Sequence, residues 1–322
     1  MPNLYLAWKG SDDDDTTLWT IRCSTQVPDF DQPQQVFRTE QTSLGPQQAL
    51  PVLCSSKPAL LALSDRILVA AADDVILPGP GSGHSDNLSS GYCQSWPNLI
   101  GTQLVPGTAT SWAPALAPWG NGALMVWNGD GSDTRIWCSN YSQSFNVWSS
   151  QFLTELENSG QPIQSGSTPA IVNFSGTLLM VWRGEGSNDN LYYATSQDGL
   201  HWQGNKGIPG AASTIAPAMT IFNGVPVICF KGGTNDDGIH ASVYNAATDS
   251  WAPVAQTGGF GTSHGPSLAV YQGELFMAWK GVSGDTSLWC ATTSDPLNPK
   301  AWSGQKNIPG TGSSVGPAAV VF

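Results

Sequence analysis

The sequence predicts an all-β chain in which one four-stranded unit recurs around a closed ring. Three observations point there: the composition, an internal repeat and the way the two ends complement each other. Of the 322 residues only 11% are charged, against roughly 25% in an average soluble domain. Glycine (36), proline (23) and tryptophan (14) are all in excess, and no segment sustains a helical apolar period. Many short strands joined by tight turns fit that profile, whereas a helical bundle or a βαβ fold does not.

The repeat is the strongest signal. Residues 4–10, 67–73, 123–129, 178–184, 226–232 and 275–281 read LYLAWKG, ILVAAAD, ALMVWNG, LLMVWRG, PVICFKG and LFMAWKG, with starts 48 to 63 residues apart. Each is the second strand of a unit. The first strand opens on a proline: Pro58, Pro114, Pro169, Pro217, Pro266 and, for the copy at residues 4–10, Pro317 from the far end of the chain. In five copies a third strand follows, centred on Leu18-Trp19, Ile136-Trp137, Leu191-Tyr192, Ile239-His240 or Leu288-Trp289. A fourth, more polar strand carries Trp96, Trp148, Trp202, Trp251 or Trp302. Only Trp112 and Trp119 fall outside these columns.

Four strands in about 50 residues is the signature of a β-propeller blade. The chain opens on a second strand and closes on a first one, residues 316–322, so joining the two completes a blade. The expectation is therefore a six-bladed β-propeller of four-stranded antiparallel blades, one domain over residues 1–322, with the C-terminal strand seated in the N-terminal blade. Blade 1 takes residues 316–322 plus 3–50, and blades 2 to 6 take 57–107, 113–164, 168–210, 216–261 and 265–310. Closure removes exposed sheet edges and holds the termini. Blade 2 is degenerate: its second strand lacks the aromatic and the base, and a glycine- and proline-rich stretch, 75–85, replaces the tight turn.

Twelve basic against 24 acidic residues, net −12, argue against nucleic acid or an anionic membrane as partner. The longest apolar runs, 58–63 and 67–72, are strand-sized, so no membrane insertion is expected. The N-terminus shows no basic leader followed by an apolar core. Cys23, Cys54, Cys93, Cys138, Cys229 and Cys290 are widely spaced without a CxxC pair, which reads as buried thiols in a reducing compartment. A cytoplasmic protein, released if at all without a classical signal peptide, is the expectation, and the N-x-S/T triplets at Asn87, Asn140 and Asn173 are then accidental.

In a propeller the first strands line the central channel. Here none of them carries an acid, a base or a histidine, whereas a hydrolase at the axis needs paired carboxylates or a nucleophile with its base. The five arginines are scattered, and His84, His201, His240 and His264 lie in different blades without ligand spacing. Asp12 to Asp15 lacks the alternation of a calcium loop and reads as a solvated turn. The expectation is thus no enzyme, no metal and no cofactor. One stretch, 196–202 (SQDGLHW), matches an S-x-D-x-G-x-x-W box shortened by one residue, which braces the turn between strands three and four in sialidase-type propellers.

A recurrent polar set is more informative. Lys9, Asn128, Arg183, Lys231 or Lys280 ends the second strand and is followed by glycine. Asp15, Asp133, Asn188, Asp236 or Asp285 comes after a short turn, and Trp19, Trp137, Tyr192, His240 or Trp289 follows. Serine and threonine clusters in the fourth-to-first loops (Ser55-Ser56, Thr110-Ser111, Ser213-Thr214, Thr262-Ser263, Ser313-Ser314) share that face by propeller topology. One reading is structural: the base and acid staple each hairpin while the ring packs between blades. The other is a sugar-binding set, in which base and acid hydrogen-bond vicinal hydroxyls and the ring covers the apolar face. Weak sites repeated on a rigid ring would gain by multivalency.

At this level the chain resembles the six-bladed propeller lectins of fungi and bacteria, of which the fucose-binding fungal lectins are examples. The resemblance is architectural and covers the whole chain. It implies a multivalent glycan-binding lectin with glycans or glycoconjugates as partners, compatible with a homodimer. Two further functions stay open: a glycoside hydrolase or lyase using top-face groups such as Asp73, Asp74, His84 or His264, and a protein-interaction propeller.

Overall fold

The computed structural model describes residues 2–11, 15–23, 29–35, 37–40, 48–51, 54–72 and 87–322. The candidate calcium ligands Asp12 to Asp14, the stretch 75–85, and Asp73, Asp74 and His84 lie outside the described residues. The fold is all-β, with six small sheets arranged as the blades of a propeller.

The second strands explain the architecture. Leu4–Lys9, Ile67–Ala72 and Gly122–Asn128 are buried at every position. A strand points alternate side chains to opposite faces, so continuous burial requires cover on both sides. Each blade gets that cover from its two neighbours. In blade 1, Tyr5 and Ala7 pack with Ile67, Val69 and Ala71 of blade 2, while Leu4, Leu6 and Trp8 pack with Phe276, Ala278 and Cys290 of blade 6. Six apolar clusters fill the six inter-blade spaces in this way. All six cysteines lie buried in the protein and none is in a disulfide.

The first strands, Ala59–Ala62, Ala115–Trp119, Ala170–Phe174, Ala218–Phe222, Ser267–Tyr271 and Ala318–Val321, each neighbour the next around the axis, and the last neighbours the first. The ring is closed by Ala318–Val321, which pairs antiparallel with Leu4–Lys9, Leu4 opposite Val321 and Ala7 opposite Ala318.

Two additions go beyond the four-strand pattern. Phe37–Glu40 and Gln48–Pro51, from the long insertion of blade 1, form a hairpin on the outer edge of blade 2, with Phe37–Glu40 parallel to Asn98–Leu104. Glu155–Leu156 likewise lies parallel to the outer strand of blade 4, His201–Ala212. Both cover an outer edge that would otherwise be open for pairing.

The 196–202 box braces its turn as expected. Asp198 Oδ1 accepts from the amides of Leu200 and His201, both at 2.8 Å, Ser196 Oγ accepts from Gly199, and the Trp202 indole donates to the Gly199 carbonyl. Bonds from the His201 ring, these amides and the Ser196 hydroxyl outweigh burial and hold Asp198 at about 2.

Candidate functional site

The repeated polar set does come together, but through different atoms from those a solvent-facing site would use. In blade 6 the Lys280 ammonium donates to the main-chain carbonyl of Asp285 and to Ser263 Oγ, both at 3.0 Å. In blade 5 Lys231 donates to the carbonyl of Asp236 at 3.0 Å, reaches Thr214 Oγ1 at 3.3 Å and pairs with Asp237 at 3.1 Å. Lys9 donates to Ser314 Oγ at 3.0 Å. Lys231 and Lys280 therefore tie a second-to-third turn to the fourth-to-first loop, and Lys9 reaches the same kind of loop, which places both on one face as topology required.

The carboxylate or amide side chain faces the other way. One oxygen caps the turn by accepting the amide two residues on: Thr17, Arg135, Asn190, Gly238 and Ser287. In four blades the other side-chain atom meets the ring four residues on. These pairs are Asp133–Trp137 at 3.0 Å, Asn188–Tyr192 at 3.0 Å, Asp236–His240 at 2.8 Å and Asp285–Trp289 at 2.8 Å. The invariant glycine after the base has a reason here. A Cβ on Gly232 or Gly281 would overlap the carboxylate of Asp236 or Asp285 lying across it.

The base is consequently sealed. Lys9, Asn128, Lys231 and Lys280 are only 4%, 1%, 8% and 6% exposed. Asn128 donates to the Ser165 carbonyl, and Arg183 spans Asp189 and the carbonyls of Gly166, Gly186 and Ser213. The expectation of cations presented on the rim is thereby corrected, because main-chain carbonyls and loop hydroxyls already hold their donors. The loop hydroxyls divide in the same way. Ser165, Ser213, Thr262 and Ser313 are buried struts bonded to main-chain carbonyls. Trp19, Trp137, Tyr192, His240 and Trp289 remain half-buried, each with part of its ring in solvent.

Ionisation follows these contacts. Burial pushes Asp236 up, but the Gly238 amide, the His240 ring and Lys231 more than offset it and hold the carboxyl below its usual range. Asp285 is held low in the same manner by Ser287 and Trp289 against burial. Burial lowers Lys280, and nearby Asp285 partly restores it.

One of these turns opens into a real cleft. Between blades 4 and 5 a cavity of about 700 Å³ is lined by Pro209, Phe230, Asp236, His240, Trp251 and Gln256, with Gly210, Gly232 and Gly233 at its edge. Asp236 keeps about half of its side chain exposed. The cleft thus brings a carboxylate, an imidazole and an amide together with apolar side chains, the His240 ring stacking on the buried Phe230 at 5.7 Å. Trp251 adds an unusual feature. The indole N–H groups of Trp96, Trp148, Trp202 and Trp302 donate to Thr20, Ser90, Gly199 and Pro296, but that of Trp251 is buried without a partner.

At the axis, a second cavity of about 390 Å³ is framed by the prolines and alanines that begin the first strands, with Lys57, Trp112 and His264 at its mouth. Lys57 and Trp112 belong to no repeated column, so the repeat does not mark them. His264 is pushed down to about 4 by burial and by the nearby lysines 280 and 57. Among the described residues no group of three metal-ligating side chains occurs.

No family model and no curated protein sequence matches the chain. Among solved structures it is similar to a mutant of the Aleuria aurantia lectin AAL in complex with Fucalpha1-6GlcNAc. That likeness has 13% identity and a TM-score of 0.60 and covers 97% of this chain and 94% of that one. AofleA from Arthrobotrys oligospora matches at 13% identity and a TM-score of 0.57, covering 81% of this chain and 73% of its own. An α-L-arabinofuranosidase (CtGH43) from Clostridium thermocellum matches at 12% identity and a TM-score of 0.53, covering 81% and 96%. Likeness at this identity shows the fold. It also corrects the expectation of a chain without catalytic activity: a glycoside hydrolase is among the structures of similar fold, so an enzymatic role stays open.

Proposed function

We propose that the protein binds glycans in the manner of a propeller lectin, with its best-formed sugar site in the cleft between blades 4 and 5. The observation that carries this is the cleft's mixed chemistry. A sugar presents hydroxyls at its edge and C–H groups on its faces. Asp236 accepts from hydroxyls as a carboxylate, His240 and Gln256 accept or donate, and the solvent-facing Pro209, Pro253 and Val254 cover the apolar face. A carboxylate held ionised and half in solvent makes charge-assisted hydrogen bonds without a large desolvation cost. In blades 1, 3, 4 and 6 the half-buried rings Trp19, Trp137, Tyr192 and Trp289 offer further, shallower contacts, and multivalency on a glycan-coated surface would add their small affinities.

A glycan array followed by solution titration tests the reading. Asp236→Asn and His240→Ala are each expected to weaken binding by about tenfold or more, as loss of a charge-assisted bond does. Glycans that bind both variants as well as the parent protein would overturn the assignment of the cleft. The likeness to an arabinofuranosidase supports a second reading, glycoside hydrolysis, which release of a chromophore from an aryl arabinofuranoside would reveal in the same preparation.

A further inference from the structure

The residues that precede the six first-strand prolines are Lys57, Ala113, Thr168, Ala216, Gly265 and Gly316. They close on one another around the axis. Thr168 Oγ1 donates to the Ala113 carbonyl at 2.9 Å, a Cβ on Gly265 would strike the Ala216 carbonyl, and one on Gly316 would strike that of Gly265. Five of the six are small and leave the mouth open. The sixth is a lysine. Its ammonium reaches from blade 2 past the blade 1 position and donates to the Pro266 carbonyl of blade 6 at 2.8 Å. Among the described residues that is its one hydrogen bond, which leaves two of its three N–H donors without a protein acceptor there. Lys231, by contrast, has three such partners and Lys280 two.

Beneath the ammonium the wall is methyl and pyrrolidine: Ala59, Ala115, Ala170, Ala218 and the prolines. No Asp or Glu is found among the described lining residues. We infer that the axial mouth is a binding site for a compact organic carboxylate, its charged head on Lys57 and its apolar body against the alanine and proline wall. One cation matches one negative charge, which favours a monocarboxylate over a phosphate whose second charge would stay buried and unpaired. The volume falls within the roughly 300–1,000 Å³ of small-molecule sites. Burial also draws Lys57 down to about 8, the mark of an ammonium lacking a counter-charge that a bound anion would supply.

Ligand-observed fluorine NMR on the full chain at neutral pH decides this, with 4-fluorobenzoate and its neutral analogue 4-fluorobenzamide as probes. The acid is expected to bind about tenfold or more tightly than the amide, and Lys57→Met to bring the two level. Ala115→Phe keeps the ammonium but fills the cavity, and abolishes binding of both; it serves also if Lys57→Met fails to fold. Equal affinity for acid and amide, unchanged binding in either variant, or no binding of the acid at about millimolar concentration would overturn the site. None of these outcomes depends on the cleft between blades 4 and 5.

Discussion

The interface between blades 4 and 5 and the one between blades 5 and 6 are built from equivalent parts yet end differently. In both, a lysine and an aspartate close the second-to-third turn, and a buried hydroxyl, Ser213 or Thr262, anchors the loop beside it. Two residues before that hydroxyl stands Ala211 in one case and Phe260 in the other. Phe260 stacks on Trp279 at 4.9 Å and meets Trp302 edge-on at 6.0 Å. Ala211 packs with Phe230 and Trp251 in the corresponding place, and the cleft opens next to it, along Pro209, Gly210 and Ala212. The polar turn holds the blade together in both places. The two interfaces differ in the bulk that the preceding blade sets beside that turn, a phenyl ring in one and a methyl group in the other.

Exchanging that side chain gives the largest expected effect. Ala211→Phe should crowd Phe230 and Trp251 beside the cleft and weaken glycan binding there by about tenfold or more, at a stability cost of about 1–3 kcal/mol for the extra volume. Retained affinity would separate binding from the cleft. Phe260→Ala, the reciprocal change, is expected to destabilise by about 3–5 kcal/mol in urea unfolding, because it strips the ring from a packed aromatic group. A loss well below that range would mean the 5–6 interface relaxes to close the gap, weakening the contrast.

A smaller effect tests the shared turn. Lys280→Met leaves the Asp285 carbonyl and Ser263 short of a donor and should cost about 1–3 kcal/mol, whether or not a glycan is present. If the variant instead lost glycan binding at full stability, the lysine would be a ligand contact rather than a strut. The smallest effect is on pH dependence. His264 titrates at about 4 in the fold against 6.5 as the ordinary value. Between those values the unfolded chain takes up the proton and the native protein does not, so stability falls as pH drops from 6.5 toward 4. His264→Gln should flatten that part of the stability profile; an unchanged slope would place the titration elsewhere.

Much of this was legible in the sequence. The six-fold repeat, the clasp of Ala318–Val321 on Leu4–Lys9 and the turn-bracing role of the 196–202 box follow from periodicity, and periodicity survives when a position drifts, as Phe230 and His240 show. The orientation of the lysines was not legible. Spacing placed Lys280 near Asp285, but it could not show that the ammonium takes the main-chain carbonyl while the carboxylate turns to Trp289. The hairpin of Phe37–Glu40 and Gln48–Pro51 was hidden because it joins a blade other than the one that precedes it in sequence, with no repeat to mark it. Lys57 escaped the repeated set because it stands before a first strand rather than after a second. Aligning the residues before the six prolines would have found it as the one large side chain among small ones.

The central claim rests on where a sugar sits. A crystal of the protein soaked with a mixture of monosaccharides tests it most directly. The account predicts a sugar ring between blades 4 and 5, its hydroxyls on Asp236 and His240 and one face toward Pro209 and Val254. A soaked crystal with that cleft empty and a sugar bound elsewhere on the wheel would contradict it.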